Sequence, residues 1–354
     1  MNRSIVNTIW KLAGIALLIY VFCMVFLTPL GPGLLKSDDC ESGEYVGVTL
    51  QGFNTHFTDD RDNIRVFIKS SLKGKLIEAY ETDVISDNKL DAFFILPDTL
   101  PSNSWTVLIN SKTDGTVPLV NALFHKPAHL GMPVDYEFAK ISESELYEGE
   151  ERFQFPFQPN IIESIRNLML HVPMWFTMFF LMGIGVVNSA LSLSGGEKRV
   201  IQDDRAISSI RVGLLFGVLG LITGSLWARF TWGAWWVNDP QLNGAMVTVL
   251  IYSGYLILRS TVTSEEQRIK ISSVYSIFAF VILVILLMVL PRFNESLHPG
   301  KGGNPAFSKY DLDDSLRFAF YPAVIGWILL GSWLYTISLR TRRLKAMVQK
   351  LKEY

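Results

Sequence analysis

The chain is poor in much of what carries chemistry in other proteins. It has 354 residues but only two cysteines, Cys23 and Cys40. At most one disulfide can form, and no CxxC pair exists for thiol–disulfide exchange or for a cysteine-ligated zinc. Its 32 basic residues are matched by 33 acidic ones, so there is no excess of positive charge to neutralise a nucleic-acid backbone, and DNA or RNA binding is set aside. A GxxxxGK[ST] phosphate loop is missing, which means the chain is not itself an ATPase. GxSxG and HExxH are missing as well, and no serine stands in a context for nucleophilic attack. The residues do not call for an enzyme.

What is abundant is apolar surface. Hydrophobic residues make up 49% and charged residues only 18%, with a mean hydropathy of +0.27, too apolar for an ordinary soluble protein. A bilayer core needs roughly 20 apolar residues per helix. Six stretches meet that, at about 9–30, 168–190, 212–230, 242–260, 271–291 and 318–339. The first is read as a retained anchor, because the run from Leu12 to Leu27 is long for a signal peptide and no small-x-small cleavage site follows.

Basic residues in short connections mark the cytoplasmic side. Arg3 and Lys11 precede the first span; Lys198, Arg199, Arg205 and Arg211 follow the second; Arg259, Arg268 and Lys270 follow the fourth. Arg340, Arg342, Arg343, Lys345, Lys350 and Lys352 end the chain. Both termini are therefore expected in the cytoplasm, and 31–167, 230–241 and 292–317 outside.

The expected organisation is an all-α polytopic membrane protein of six helices with an inserted β-rich, sandwich-like extracytoplasmic domain. Its segments are 1–35 (first helix), 36–160 (outer domain), 161–345 (five-helix membrane domain) and 346–354 (cytoplasmic tail). Within 36–160, Tyr45–Leu50, Ile64–Ile68, Ala92–Leu96 and Trp105–Asn110 are rich in β-branched and aromatic residues and are punctuated by Asp, Asn, Gly and Pro.

Five histidines occur in the whole chain. His171 opens the second span in His171-Val172-Pro173, and His298 lies just beyond the fifth in His298-Pro299-Gly300, both expected at the outer face. Two such imidazoles can ligate a metal or take both axial positions of a haem iron. Between them in sequence runs Trp227-Ala228-Arg229-Phe230-Thr231-Trp232-Gly233-Ala234-Trp235-Trp236-Val237-Asn238-Asp239-Pro240. Its aromatics can stack on a planar macrocycle, Gly233 permits close backbone approach, and Asp239 can brace the loop or orient an imidazole. The plainer reading is an interfacial tryptophan belt with solvated histidines, and the residues alone leave both open. His125 and His129 have an i, i+4 spacing, but Pro127 between them disfavours a helix; His56 has no evident partner.

The run Trp232-Gly233-Ala234-Trp235-Trp236-Val237-Asn238-Asp239 resembles the tryptophan-rich WWD signature of the haem-handling proteins of cytochrome c biogenesis, and the two histidine motifs match those flanking it. The six-span layout resembles the CcmC type rather than the longer CcsA and CcmF types. The resemblance covers roughly 1–30 and 160–345. It implies that haem b is bound transiently and non-covalently at the periplasmic face of a bacterial inner membrane, with His171 and His298 as axial iron ligands and Trp232, Gly233, Trp235, Trp236 and Asp239 forming the loop. Implied partners are haem, a covalent haem chaperone of the CcmE type, an ATP-binding cassette pair of the CcmA and CcmB type, and membrane lipid. Where the family continues Trp-Asp-Ala-Arg-Leu-Thr this chain has Asn238-Asp239-Pro240-Gln241-Leu242-Asn243. The family arginine is thus replaced by Gln241, with Arg229 nearby as a substitute. The outer domain is an addition to the family layout. The competing readings are a membrane haem oxidoreductase subunit and a non-haem structural or partner-binding membrane protein.

Overall fold

The computed structural model describes residues 3–37, 40–41, 43–70, 76–96, 104–126, 145–148, 154–157, 161–294, 296–298 and 314–352. These fall into two compact units, one formed by Met1–Leu27 with Glu163–Tyr354 and the other by Thr28–Ile162.

Alternation of apolar and polar residues builds the second unit. Along strand β7 (Lys89–Leu96) Leu90, Ala92, Phe94 and Leu96 are buried while the residues between them are not, the period-two pattern of a strand with one face inward. One sheet is antiparallel in the order β1 (Gly33–Ser37), β3 (Gly43–Phe53), β7, β6 (Glu81–Ser86). The other runs β2 (Cys40–Glu41), β9 (Gly115–Lys126), β8 (Ser104–Ser111), β4 (Arg65–Ser70), β5 (Leu76–Glu78). All its pairs are antiparallel except β2 with β9. Val48, Leu50 and Phe94 from the first sheet and Val66, Ile68, Trp105 and Ile109 from the second share one core, which makes the unit a sandwich. The expected runs lie in β3, β4, β7 and β8, except that Ile64 falls one residue before β4.

Two histidines of this unit bear on the sequence reading, the first in line with it and the second correcting it. His125 sits in β9, paired with Cys40 of β2, so no helical histidine pair forms there; His129 lies outside the described residues. His56 does have a partner: its Nδ1 is 2.9 Å from Asp114 Oδ1, and its backbone N–H donates to Asp114 Oδ2 at 2.8 Å.

In the first unit, six helical stretches are long and apolar enough to cross a membrane. They are α1 (Arg3–Leu27), α2 (Leu168–Leu193, preceded by a 3-10 turn at Glu163–Asn167), α3 (Arg199–Trp232), α4 (Pro240–Thr261), α5 (Glu265–Val284, continued below) and α7 (Asp314–Lys352). The chain is a multi-pass membrane protein. Helix α2 is central, packed against α3, α5 and α7, and α1 packs on α7. Met178 and Leu181 of α2, Ile210 and Phe216 of α3, and Tyr252 of α4 are all buried in their shared core.

Two helices are longer than their apolar stretches. Helix α3 begins at Arg199, so Arg205 and Arg211 are helical rather than part of a connection. Helix α7 runs through the expected tail to Lys352. The extension of α7 is rich in Arg, Lys and Leu, which favour helix, and hydropathy alone registers neither extension. Helix α5 instead passes into a π turn at Ile285–Val289 and the short α6 (Leu290–Phe293), with Pro291 inside α6. Proline has no N–H to donate, and its ring crowds the carbonyl four residues earlier, at Leu287; the widened turn relieves that clash.

The charge partners of His56 set a pH dependence. The hydrogen bond to Asp114 raises its pKa above the ordinary 6.5; partial burial opposes this, and the charges of Asp114, Asp59 and Asp87 reinforce it. A raised folded pKa means stabilisation that is complete below the unfolded value and is lost as pH rises through the folded one. With the ring 49% exposed, the contribution is at most about 1 kcal/mol. His56→Gln is therefore expected to lower the melting temperature of the sandwich at about pH 5.5 and to leave it unchanged at about pH 8.5. A loss of equal size at both values in thermal unfolding would contradict the assigned ion pair.

Candidate functional site

The antiparallel hairpin of α3 and α4 turns through the tryptophan-rich loop, and the turn is built by its own sequence. Gly233 ends α3 with φ +79°, a left-handed conformation that glycine adopts at no steric cost. Asp239 begins α4 as its N-cap, and Pro240 follows in the first helical position, a favoured pair at a helix start. Asp239 Oδ1 accepts from the N–H groups of Gln241 (2.9 Å) and Leu242 (3.2 Å). Between the caps, Ser225 Oγ donates to the Trp235 carbonyl at 3.0 Å. Trp236 Nε1 donates to Asn243 Oδ1 at 3.2 Å, and Asn243 Nδ2 to Asn238 Oδ1 at 2.8 Å. Arg229 donates to the Gly233 carbonyl. Trp235 is left 59% exposed at the rim.

The second oxygen of Asp239 reaches a different part of the chain. Its Oδ2 accepts from the Leu297 N–H at 2.7 Å, and the His298 Nδ1 stands 3.2 Å from Oδ1, within ion-pair reach but off the line of a good hydrogen bond. Burial works against charge on Asp239, yet the His298 ring, the Leu297 amide and the Ser296 hydroxyl hold its carboxyl well below the usual carboxylate range. The ring of His298 packs edge-on against Trp232, with centroids 5.4 Å apart.

His171 lies in the first turn of α2 against the other side of α3. Its Nδ1 is 3.0 Å from the Gly220 carbonyl and 3.2 Å from Thr223 Oγ1. A carbonyl only accepts, so Nδ1 carries the proton and Nε2 keeps its lone pair. Trp175 and Trp227 meet the ring edge-on at centroid distances of 6.5 and 5.6 Å. A Cβ on Gly224 would come within 2.6 Å of the imidazole Cε1, so glycine is what lets helix α3 pass this close. Gly220 and Gly224 precede the end of α3 by two to three turns, which sinks His171 about 12–18 Å beneath the loop. It is thus deeper than a residue at the surface.

The loop and His298 lie at one end of the membrane unit, with His171 two to three helical turns below the loop. The sequence reading gave Trp175 no role, and it counted Trp227 in the aromatic run without placing it against His171. Trp175 is four residues after His171 and shares its helical face, a signal that was available; Trp227 needs the register of α3 on α2.

The donor set is two neutral-capable imidazoles among five indoles, with the Trp227 Nε1 buried and without a hydrogen-bond acceptor among the described residues. In each imidazole the Nδ1 faces an oxygen acceptor, the arrangement that orients a ligating histidine. Such a set fits a haem iron with two nitrogen ligands. Among the described residues no group of three or more His, Cys, Asp and Glu could hold a bare metal ion.

Residues 153–298 match the family model for the cytochrome C assembly protein. The chain thus contains a segment similar to that family. It is similar to proteins named Heme exporter protein C: that of Paracoccus denitrificans at 25% identity over 53% of this chain and 78% of the relative, and that of Haemophilus influenzae at 27% over 51% and 72%. That of Escherichia coli is 24% identical over 50% of this chain and 69% of its own length. The matched segment contains both His171 and His298 and the whole loop.

Replacing Asp239 by Ala removes the N-cap and leaves the Leu297 N–H unpaired, at a cost of about 2 kcal/mol. The expected outcome is a lower melting temperature in detergent together with faster hydrogen exchange at the Leu297 amide. Exchange at Leu297 equal to the parent would show that the carboxylate does not hold that turn.

Proposed function

We propose that the chain binds haem b transiently and non-covalently at the periplasmic face of a bacterial inner membrane and presents it to a covalent haem chaperone of the CcmE type. This is haem delivery for c-type cytochrome maturation, with an ATP-binding cassette pair of the CcmA and CcmB type as partners. In this reading His171 and His298 are the axial iron ligands. Trp232, Gly233, Trp235, Trp236 and Asp239 form the surface that receives the porphyrin. Both termini are cytoplasmic and 36–160 is a periplasmic domain; 161–345 is the haem-handling membrane domain and 346–354 its cytoplasmic end.

The observation that carries the reading is the shared state of the two imidazoles. Each turns Nδ1 toward an oxygen, Gly220 for His171 and Asp239 for His298, which leaves both Nε2 atoms as the available donors. Haem supplies an iron that takes two such donors and a planar apolar face. The chain's own part is to bind, orient and release. Trp175 and Trp227 fix the His171 ring, the Asp239 carboxylate fixes His298, and the exposed Trp235 offers an indole face at the rim where a recipient can approach. No covalent bond changes in such a carrier. The relatives' name, Heme exporter protein C, supports the same role.

Transfer is the test. Purified chain loaded with haemin is mixed with a CcmE-type chaperone, and covalent haem on the chaperone is read by peroxidase staining of a denaturing gel. His171→Ala and His298→Ala should each lower transfer by at least about tenfold, the equivalent of 1.4 kcal/mol in ligand interaction, and added imidazole should restore part of it. Transfer at the parental rate in both variants would overturn the assignment.

A further inference from the structure

At the end of the membrane unit opposite the tryptophan-rich loop, four arginines from four helices line one cavity of about 330 Å³. They are Arg211 of α3, Arg259 of α4, Arg268 of α5 and Arg342 of α7, with Leu256 and Ser260 beside them. Two are answered by carboxylates. Arg259 is 6% exposed and makes a bidentate pair with Asp203, 2.7 Å at its first contact; Arg342 donates its Nε–H to Asp204. Arg211 and Arg268 have no ion-pair partner among the described residues. Two positive charges therefore remain on the wall of a cavity whose other lining includes an apolar side chain.

Like charges held together in a partly buried space repel one another unless an anion joins them. Guanidinium groups match tetrahedral phosphate oxygens in pairs, and basic pockets between membrane helices suit anionic headgroups. Here Leu256 lines the cavity, and Ile257 and Ile271 on the adjoining helices are 66% and 42% exposed, an apolar surface for the start of an acyl chain. We propose that this cavity is a phosphate-binding site, with Arg211 and Arg268 as its ligand-binding residues and the Arg259–Asp203 pair as its rigid floor. The site is separate from the histidines and does not depend on the haem reading. The phosphate comes from a lipid headgroup or from solution.

The full chain in detergent is titrated with cardiolipin, with phosphatidylcholine, with inorganic phosphate and with a poly-glutamate peptide. Binding is read as adducts in native mass spectrometry and as a shift in melting temperature. Cardiolipin is expected to bind and stabilise where phosphatidylcholine does not, and to bind at least about tenfold more weakly to the Arg211→Gln/Arg268→Gln variant. Stabilisation by inorganic phosphate that this variant abolishes also supports the site, and without a cardiolipin effect it assigns a free anion. Should the double variant not fold, Arg268→Gln alone carries the comparison. Cardiolipin binding undiminished in the variants, equal binding of phosphatidylcholine, or a response to poly-glutamate alone overturns the proposal.

Discussion

One carboxylate joins the parts of the site that lie far apart in sequence. Asp239 caps α4 through the amides of Gln241 and Leu242, and it holds the Leu297 amide and faces the His298 ring. The group is 2% exposed, and an ionised carboxylate in so closed a place needs several donors to offset its lost hydration. Those donors come from both segments at once, so the turn of the loop and the position of His298 cannot relax independently. Loosening either would leave the other with an unsatisfied charge.

The α3–α4 hairpin is thus pinned at both ends by acid. At the loop end the partner of Asp239 is an amide and an imidazole; at the far end Asp203 takes the guanidinium of Arg259. Between these anchors the apolar core of α2, α3, α4 and α5 supplies most of the burial. His171 exploits this frame differently. It sits on α2 and reads its orientation from the Gly220 carbonyl of α3, with Gly224 making room for the ring. The two imidazoles are consequently held by different helices. A planar ligand between them would be gripped by the α2–α3 contact on one side and by the Asp239 clamp on the other.

Much of this was legible before any coordinates. Six apolar runs gave six spanning helices, and short runs rich in β-branched and aromatic residues pointed to strands β3, β4, β7 and β8, because both signals are local. Scarcity of histidine and density of tryptophan singled out His171, His298 and the loop, and Asp239 was read as a brace for that loop. What escaped was non-local or polar. The His56–Asp114 pair spans 58 residues, the strand order of the sandwich cannot be read from alternation, and the depth of His171 depends on how α2 and α3 register. The helical continuations into Arg199–Arg211 and beyond Arg340 escaped because hydropathy ends where charge begins although helix propensity does not.

The claim that two imidazoles converge on one iron is tested most directly by optical and electron paramagnetic resonance spectra of the detergent-purified chain loaded with haemin, beside His171→Ala and His298→Ala. The account predicts a six-coordinate low-spin signal with sharp reduced α and β bands in the parent, and a shift toward high spin in each variant. A parent spectrum that is high-spin, or that neither substitution alters, would contradict it.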